Sequence, residues 1–247
     1  MRYRSELSAG EQHAKNVDSA LSWLDFTDTI LDQFGTILQR ARQLAVQGAN
    51  DSNPNTALDS IASEIDQLFE QLINVGNSNF NGKYIFNGEM TDIAPYSDTA
   101  PMNDDTDTGA IRYEIGVGVL IQINITGNDV FGSSAETDNA FRVLSQLSNA
   151  LRAGDTAQVS QLIGAIDTRM DKLLEQRANL GAKYNRLELA ANRLSDTEIN
   201  VQKLLAKSED ADMAEVITLL KMQENVYQAS LAAGARLITP SLVNFLK

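Results

Sequence analysis

Val159, Ile166, Leu173, Leu180, Leu187, Leu194 and Val201 follow one another at intervals of seven residues without a break. Ile163, Met170, Tyr184, Ala191 and Leu205 fill much of a second seam position. A spacing of seven returns side chains to one face of an α-helix, so the pattern predicts a long helix whose stripe meets another helix. Uninterrupted, such a span would run on the order of 70 Å at 1.5 Å per residue.

Other stripes of this kind lie upstream. Val17, Ala20, Leu24, Thr27, Leu31, Phe34, Leu38, Ala41 and Ala45 alternate steps of three and four, with only Thr27 polar. That helix is expected to end near Gly48, before the turn formers of Asn50-Asp51-Ser52-Asn53-Pro54. A second helix on Ile61, Ile65, Leu68, Leu72 and Val75 stops at Gly76, and the short link predicts antiparallel packing of the two. Phe141, Leu144, Leu147 and Leu151 mark a further helix closed by Ala153-Gly154-Asp155.

Between residues 77 and 134 the period changes. Val117, Val119, Ile121, Ile123 and Ile125 occupy every second position, the period of a half-buried strand, and Ile111–Ile115, ended by Gly116, makes a hairpin partner. Asn81-Gly82 and Asn87-Gly88 bracket Lys83-Tyr84-Ile85-Phe86, so a strand between two tight turns is expected to begin a small inserted sheet.

The composition suits long helices packed by aliphatic stripes: 43% of 247 residues are hydrophobic, only 6% aromatic, and prolines number four. A net charge of -13 argues against a nucleic-acid partner, because phosphate binding needs clustered Lys and Arg. The chain has no cysteine, which excludes disulfides and thiol chemistry. No signal-peptide core follows Met1, and no run approaches the roughly 18 apolar residues of a membrane span. A membrane partner is therefore not expected, and any export must use a route that reads no cleaved signal.

Nothing supports catalysis. His13, the single histidine, sits in a polar helical stretch without a nucleophile-elbow pattern. Asp104-Asp105-Thr106-Asp107-Thr108-Gly109 invites a calcium-loop reading, but aligning Gly109 puts Ile115 where the bidentate Glu belongs, so a solvated acidic loop is expected. Asn124-Ile125-Thr126 matches a glycosylation acceptor inside a strand pattern. No catalytic residue, cofactor or metal site is expected.

After Ser208–Asp212 another helical stretch is expected to begin, with Ile217, Leu220, Tyr227 and Leu231 on one side and Val216, Leu219, Val226 and Ala233 on another. That apolar face is too broad for a solvated helix and predicts a partner in an assembly or in a further segment.

Two segments resemble a known family. Arg177-Ala178-Asn179-Leu180-Gly181-Ala182 with Asn185-Arg186-Leu187-Glu188, and Ser208-Glu209-Asp210-Ala211-Asp212-Met213-Ala214-Glu215, are similar to signatures of bacterial flagellins and their junction relatives. Tyr227–Arg236 and Pro240–Leu246 resemble the junction branch more than the Gln- and Ala-rich ending of filament proteins, and Tyr84–Gly88 with Pro95-Tyr96 agrees. The resemblance implies a mainly α fold with a β-rich insertion (α+β): an elongated antiparallel helical rod, coiled-coil in character, plus a small β lobe. Residues 1–80 and 135–208 would form the rod, 81–134 the lobe and 209–247 an assembly helix. It further implies a structural, non-enzymatic component of the extracellular flagellum that joins hook to filament. Its partners would be copies of itself in a ring, an adjoining hook-associated protein and flagellin.

An export chaperone on the C-terminal helix and the flagellar type III route are also implied. The positions carried over as assembly residues are Arg177, Leu180, Gly181, Asn185, Arg186, Asp210, Asp212, Met213, Ile217, Leu220, Tyr227, Leu231, Leu242 and Leu246. Family members carry a further helical segment ahead of the part that resembles Arg2–Leu7, so this chain is expected to begin downstream of the export signal. Residues from about Asp210 onward would then be mobile or docked on a substitute partner. The alternatives are filament flagellin and, from another class, a helical signalling or export-chaperone module.

Overall fold

The computed structural model describes residues 2–50 and 53–237, and the side chains of these except at 2, 208–212, 236 and 237. The expected positions Leu242 and Leu246 thus lie outside the described residues, as do the side chains of Asp210 and Asp212. In chain order the elements are α1 (Arg2–Gly48), α2 (Asn55–Gly76), β1 (Asn79–Phe80), β2 (Lys83–Tyr84), a 3-10 turn (Pro101–Asn103), β3 (Arg112–Gly116), β4 (Val119–Gln122), α3 (Gly127–Phe131), α4 (Ala140–Ala153) and α5 (Thr156–Leu237). The fold is mainly α with small antiparallel strand pairs. Contacts divide the chain into two units: Gln12–Leu194, and the start of α1 together with α5 from Ser195 onward.

In the larger unit the α1 stripe is core. All nine positions from Val17 to Ala45 are at most 1% exposed. Thr27 is tolerated there because its hydroxyl donates to the Trp23 carbonyl at 2.8 Å, leaving no polar group unpaired. On α5, Val159, Ile166, Leu173, Leu180 and Leu187 are buried. Arg42 pairs with Asp167, whereas Arg177 pairs with Asp28, so rising numbers on α1 meet falling numbers on α5 and the two are antiparallel. Arg40 pairs with Glu64 and Gly48 lies beside Ile61, which makes α1 and α2 antiparallel as expected. Gly48 also lets α4 in: a Cβ there would overlap Leu151. Helix α4 lies along α2, with the Ser148 hydroxyl donating to Asp66 at 2.6 Å and Phe141 edge-on to Phe69 at 6.2 Å. Gly154 closes α4 with φ +67, and the Asp155 carboxylate accepts from the Gln158 amide at 2.9 Å to start α5.

The insertion departs from expectation in three ways. First, the strand expected across Lys83–Phe86 ends at Tyr84. Asn81-Gly82, with φ of +52 and +79, makes the turn between β1 and β2, but Ile85 and Phe86 leave the ribbon for the core at 1% and 0% exposure. Of the second Asn-Gly pair only Gly88 has positive φ. Second, β3 and β4 pair from Arg112↔Gln122 to Gly116↔Val119, so Val117 is in the turn at 90% exposure, and Ile123 and Ile125 are buried outside any strand. The insertion holds two separate two-stranded ribbons in place of one sheet. Third, α3 was not foreseen. Its N-cap Thr126 accepts from the Asp129 amide, and it places Phe131 against Phe34, Phe86, Tyr96 and Phe141 at centroid separations of 4.7, 5.1, 5.5 and 5.7 Å.

In the smaller unit α5 continues without the new start expected after Ser208–Asp212. That run contains no glycine or proline, and Ala211, Met213 and Ala214 favour helix. Val201 is buried and Leu205 half-buried, while Tyr3, Leu7 and Gly10 of α1 are partly buried at steps of four and three.

Candidate assembly surfaces

The signature on α5 divides into residues that hold the fold and residues that face outward. Arg177 donates from Nε and Nη2 to Asp28 at 3.1 and 3.2 Å and from Nη1 to Asp32 at 3.0 Å. The hydrogen bond to Asp28 leads the effects that raise its pKa. Leu180 is buried in the same seam at 4% exposure. Gly181 has open space where a Cβ would stand, so packing does not demand glycine there. Asn185 and Arg186 are exposed. Arg186 lines a shallow cavity of about 290 Å³ with Ile115, Val119, Leu189, Ala190 and Arg193.

Further along α5 the apolar side chains have no cover among the described residues. Met213, Val216, Ile217, Leu219, Leu220, Met222, Val226, Tyr227 and Leu231 are each half or more exposed. They fall on more than one side of the helix. Asp210 and Asp212 lie on the same helix.

A second constellation was missed from the sequence. Arg169 of α5 is 1% exposed and charged, and its guanidinium is spent on the segment before α4. Nε donates to the Asp138 carbonyl at 2.9 Å, Nη1 to the Val130 carbonyl at 3.3 Å and Nη2 to Glu136 at 2.5 Å, and Nη2 also forms an ion pair with Asp138 Oδ2 at 2.9 Å. Lys172 adds contacts to both carboxylates at 3.0 Å. Burial would raise the Asp138 pKa, but the Lys172 hydrogen bond and the Arg169 charge outweigh it and hold the carboxyl below the usual range. Gly132, at φ +95, passes so close that a Cβ would stand 2.5 Å from Arg169 Nη2. The signal that could have revealed this is an arginine three residues after Ile166, on the seam side of a helix otherwise lined with aliphatic residues.

The other candidates prove structural. His13 Nδ1 lies 3.3 Å from the Glu114 carbonyl, which also accepts from Asn16 Nδ2 at 2.8 Å, so together they fix the β3–β4 ribbon to α1. In the acidic loop, Asp104 accepts from the Ser97 amide, Asp105 from the Ser134 amide and Asp107 from the Glu89 amide, each at 2.7 Å. Among the described residues no grouping of acidic or histidine side chains suits a metal. Asn124 is 1% exposed, with its carboxamide bound to Gly109 and Ile111, so the glycosylation match is core. Among the described residues no helix is long and apolar enough to cross a membrane.

Long antiparallel helices, an interrupted β-bearing insertion and, among the described residues, an exposed apolar stretch of α5 are the features that suit a structural protein. The model of the bacterial flagellin N-terminal helical region matches residues 1–91, and that of the C-terminal helical region matches residues 163–246. The chain belongs to the flagellin family, as a flagellar axial structural protein and not an enzyme. It is 29% identical over 251 residues to a flagellin of Bacillus subtilis, covering 95% of this chain and 79% of the relative. It is 27% identical over 229 residues to flagellar hook-associated protein 3 of Escherichia coli, covering 83% and 72%. Among solved structures it resembles hook-associated protein 3 of Legionella pneumophila, with TM-score 0.75, 17% identity and coverage of 84% of this chain and 98% of that one. A Bacillus cereus flagellin aligns with TM-score 0.51 at 25% identity, covering 73% and 88%. Axial proteins of this family self-assemble and associate with neighbouring flagellar components, so the chain is part of the extracellular filament and hook assembly.

Proposed function

We propose that this chain is the member of the family that joins hook to filament. The observation carrying this reading is the difference in fold likeness, TM-score 0.75 to a hook-associated protein 3 against 0.51 to a flagellin. The ending from Tyr227 onward supports it. In this reading the exposed Met213, Ile217, Leu220, Tyr227 and Leu231 are covered on assembly, together with Asp210, Asp212, Leu242 and Leu246 of the same terminal stretch. Asn185 and Arg186 meet a neighbouring copy, an adjoining hook-associated protein or flagellin. Arg177 and Leu180 act indirectly, by holding α5 on α1, and Gly181 leaves the helix surface free for close approach. Before assembly the protein uses the flagellar type III route, with a chaperone shielding the apolar C-terminal helix. A filament role is the second reading, favoured by the 29% identity to flagellin. Antibody labelling of isolated flagella separates the two. A single band where hook meets filament is the expected result, and label along the whole filament would replace the junction role with the filament role.

A further inference from the structure

The chain contains two Asn-Gly pairs, and the fold treats them oppositely. Asn87 is buried at 7% exposure, its Nδ2 donates to the Ile93 carbonyl at 3.1 Å, and its Oδ1 accepts from the Asp107 amide at 3.0 Å. Gly88 sits so tightly that a Cβ would overlap the Asp107 carbonyl. Asn81 is exposed at the tip of the β1–β2 ribbon with φ +52, and Gly82 after it has open space around its Cα. Among the described residues neither the Asn81 carboxamide nor the Gly82 amide has a hydrogen-bond partner.

We propose that Asn81 is a site of spontaneous covalent modification. The Gly82 backbone nitrogen gives its proton to water or hydroxide and attacks Asn81 Cγ. The bond from Cγ to the carboxamide nitrogen breaks, and that nitrogen takes a proton from water and leaves as ammonia, closing a five-membered imide. Water then adds to either imide carbonyl and opens the ring to aspartate or isoaspartate. No electrons change hands, and water is the only co-reactant.

The attack requires the peptide after Asn81 to rotate out of its turn. The ribbon that holds the turn has two residues per strand and one further bond, from the Ile85 amide to the Ser78 carbonyl at 3.2 Å, so only a short ladder opposes local opening. Asn87 must break both its hydrogen bonds and lift Gly88 from Asp107 before it can react. An isoaspartate at position 81 lengthens the backbone by one methylene, adds a negative charge and destroys the Phe80↔Lys83 register. Phe80 packs edge-on to Trp23 at 6.0 Å and against Phe26 at 5.3 Å. Since Trp23 is the single tryptophan, its emission reports on that ribbon.

The test is to age the folded protein at mildly alkaline pH, beside a urea-unfolded sample, and to map deamidation and isoaspartate by peptide mass spectrometry. In the folded chain Asn81 is expected to react at least about tenfold faster than Asn87, because only Asn87 needs a costly opening. In urea the two should react alike. The modified folded fraction should show red-shifted Trp23 emission, and Asn81→Ser should abolish both the charge change and the shift. Equal reaction of the two sites in the folded chain, or an unreactive Asn81 there while the urea sample reacts, would overturn the proposal. Persistence of the emission shift in Asn81→Ser would overturn its link to the ribbon.

Discussion

Tyr96 sits 3% exposed at the aromatic centre of the insertion, and among the described residues its hydroxyl has no hydrogen-bond partner. Its backbone is clamped instead, with Asn77 accepting from its N–H at 3.0 Å and donating to its carbonyl at 2.9 Å. Burial raises its hydroxyl pKa, so the ring stays neutral throughout the physiological range. An unpaired buried hydroxyl costs stability, so Tyr96→Phe should raise unfolding free energy by about 1 kcal/mol in urea titration; a loss of similar size would show that the hydroxyl finds a partner in solution. Arg169 presents the opposite case. Arg169→Ala leaves two carbonyls unmet and Asp138 without its buried cation, and should cost about 3–5 kcal/mol, whereas Arg40→Ala at the exposed Glu64 pair should cost less than about 1 kcal/mol. Tyr96 stood out in the sequence only as part of the family resemblance, its buried hydroxyl was not legible there, and Arg169 was not legible at all. Their roles depend on chain segments distant in sequence converging on them, and no local period records that.

Helices were legible where burial follows a period. Every α1 position in the expected stripe is core, because a helix with one buried face must repeat its apolar residues at steps of three and four. Leu31→Ala should therefore cost about 2–5 kcal/mol, while Leu189→Ala on the exposed side of α5 should stay within about 0.5 kcal/mol, both read from denaturant midpoints. The insertion was legible only in part. Its turn at Asn81-Gly82 announced itself through residue type, but Ile123 and Ile125 alternate like strand residues while serving as core in irregular backbone. The alternation recorded burial on one side, not hydrogen-bonded pairing. The polar run at Ser208–Asp212 misled in the other direction, since charged residues without glycine or proline are no reason for a helix to stop.

At the scale of the whole molecule, the two units answer different demands. The unit Gln12–Leu194 buries most of its large apolar side chains, whereas α5 beyond Ser195 displays a run of them. Replacing Ile217, Leu220, Tyr227 and Leu231 together with serine should leave the melting of Gln12–Leu194 within about 0.5 kcal/mol of the parent, because none contributes to that core. On the proposed function the same variant should fail to enter flagella; normal incorporation would show that assembly uses other surfaces. The exposure of Ile217, Leu220, Tyr227 and Leu231 was legible because their apolar stripe is broader than one helix face can bury.

The ring of Phe131 touches side chains from α1, from the segment after β2, from the loop carrying Tyr96 and from α4. A shared keystone of this kind ties the heat uptake of the insertion to that of the helices, so neither has a private melting temperature. Calorimetry of the unit Gln12–Leu194 should then give one transition whose measured enthalpy equals its van't Hoff enthalpy, and Phe131→Ala should split or broaden it.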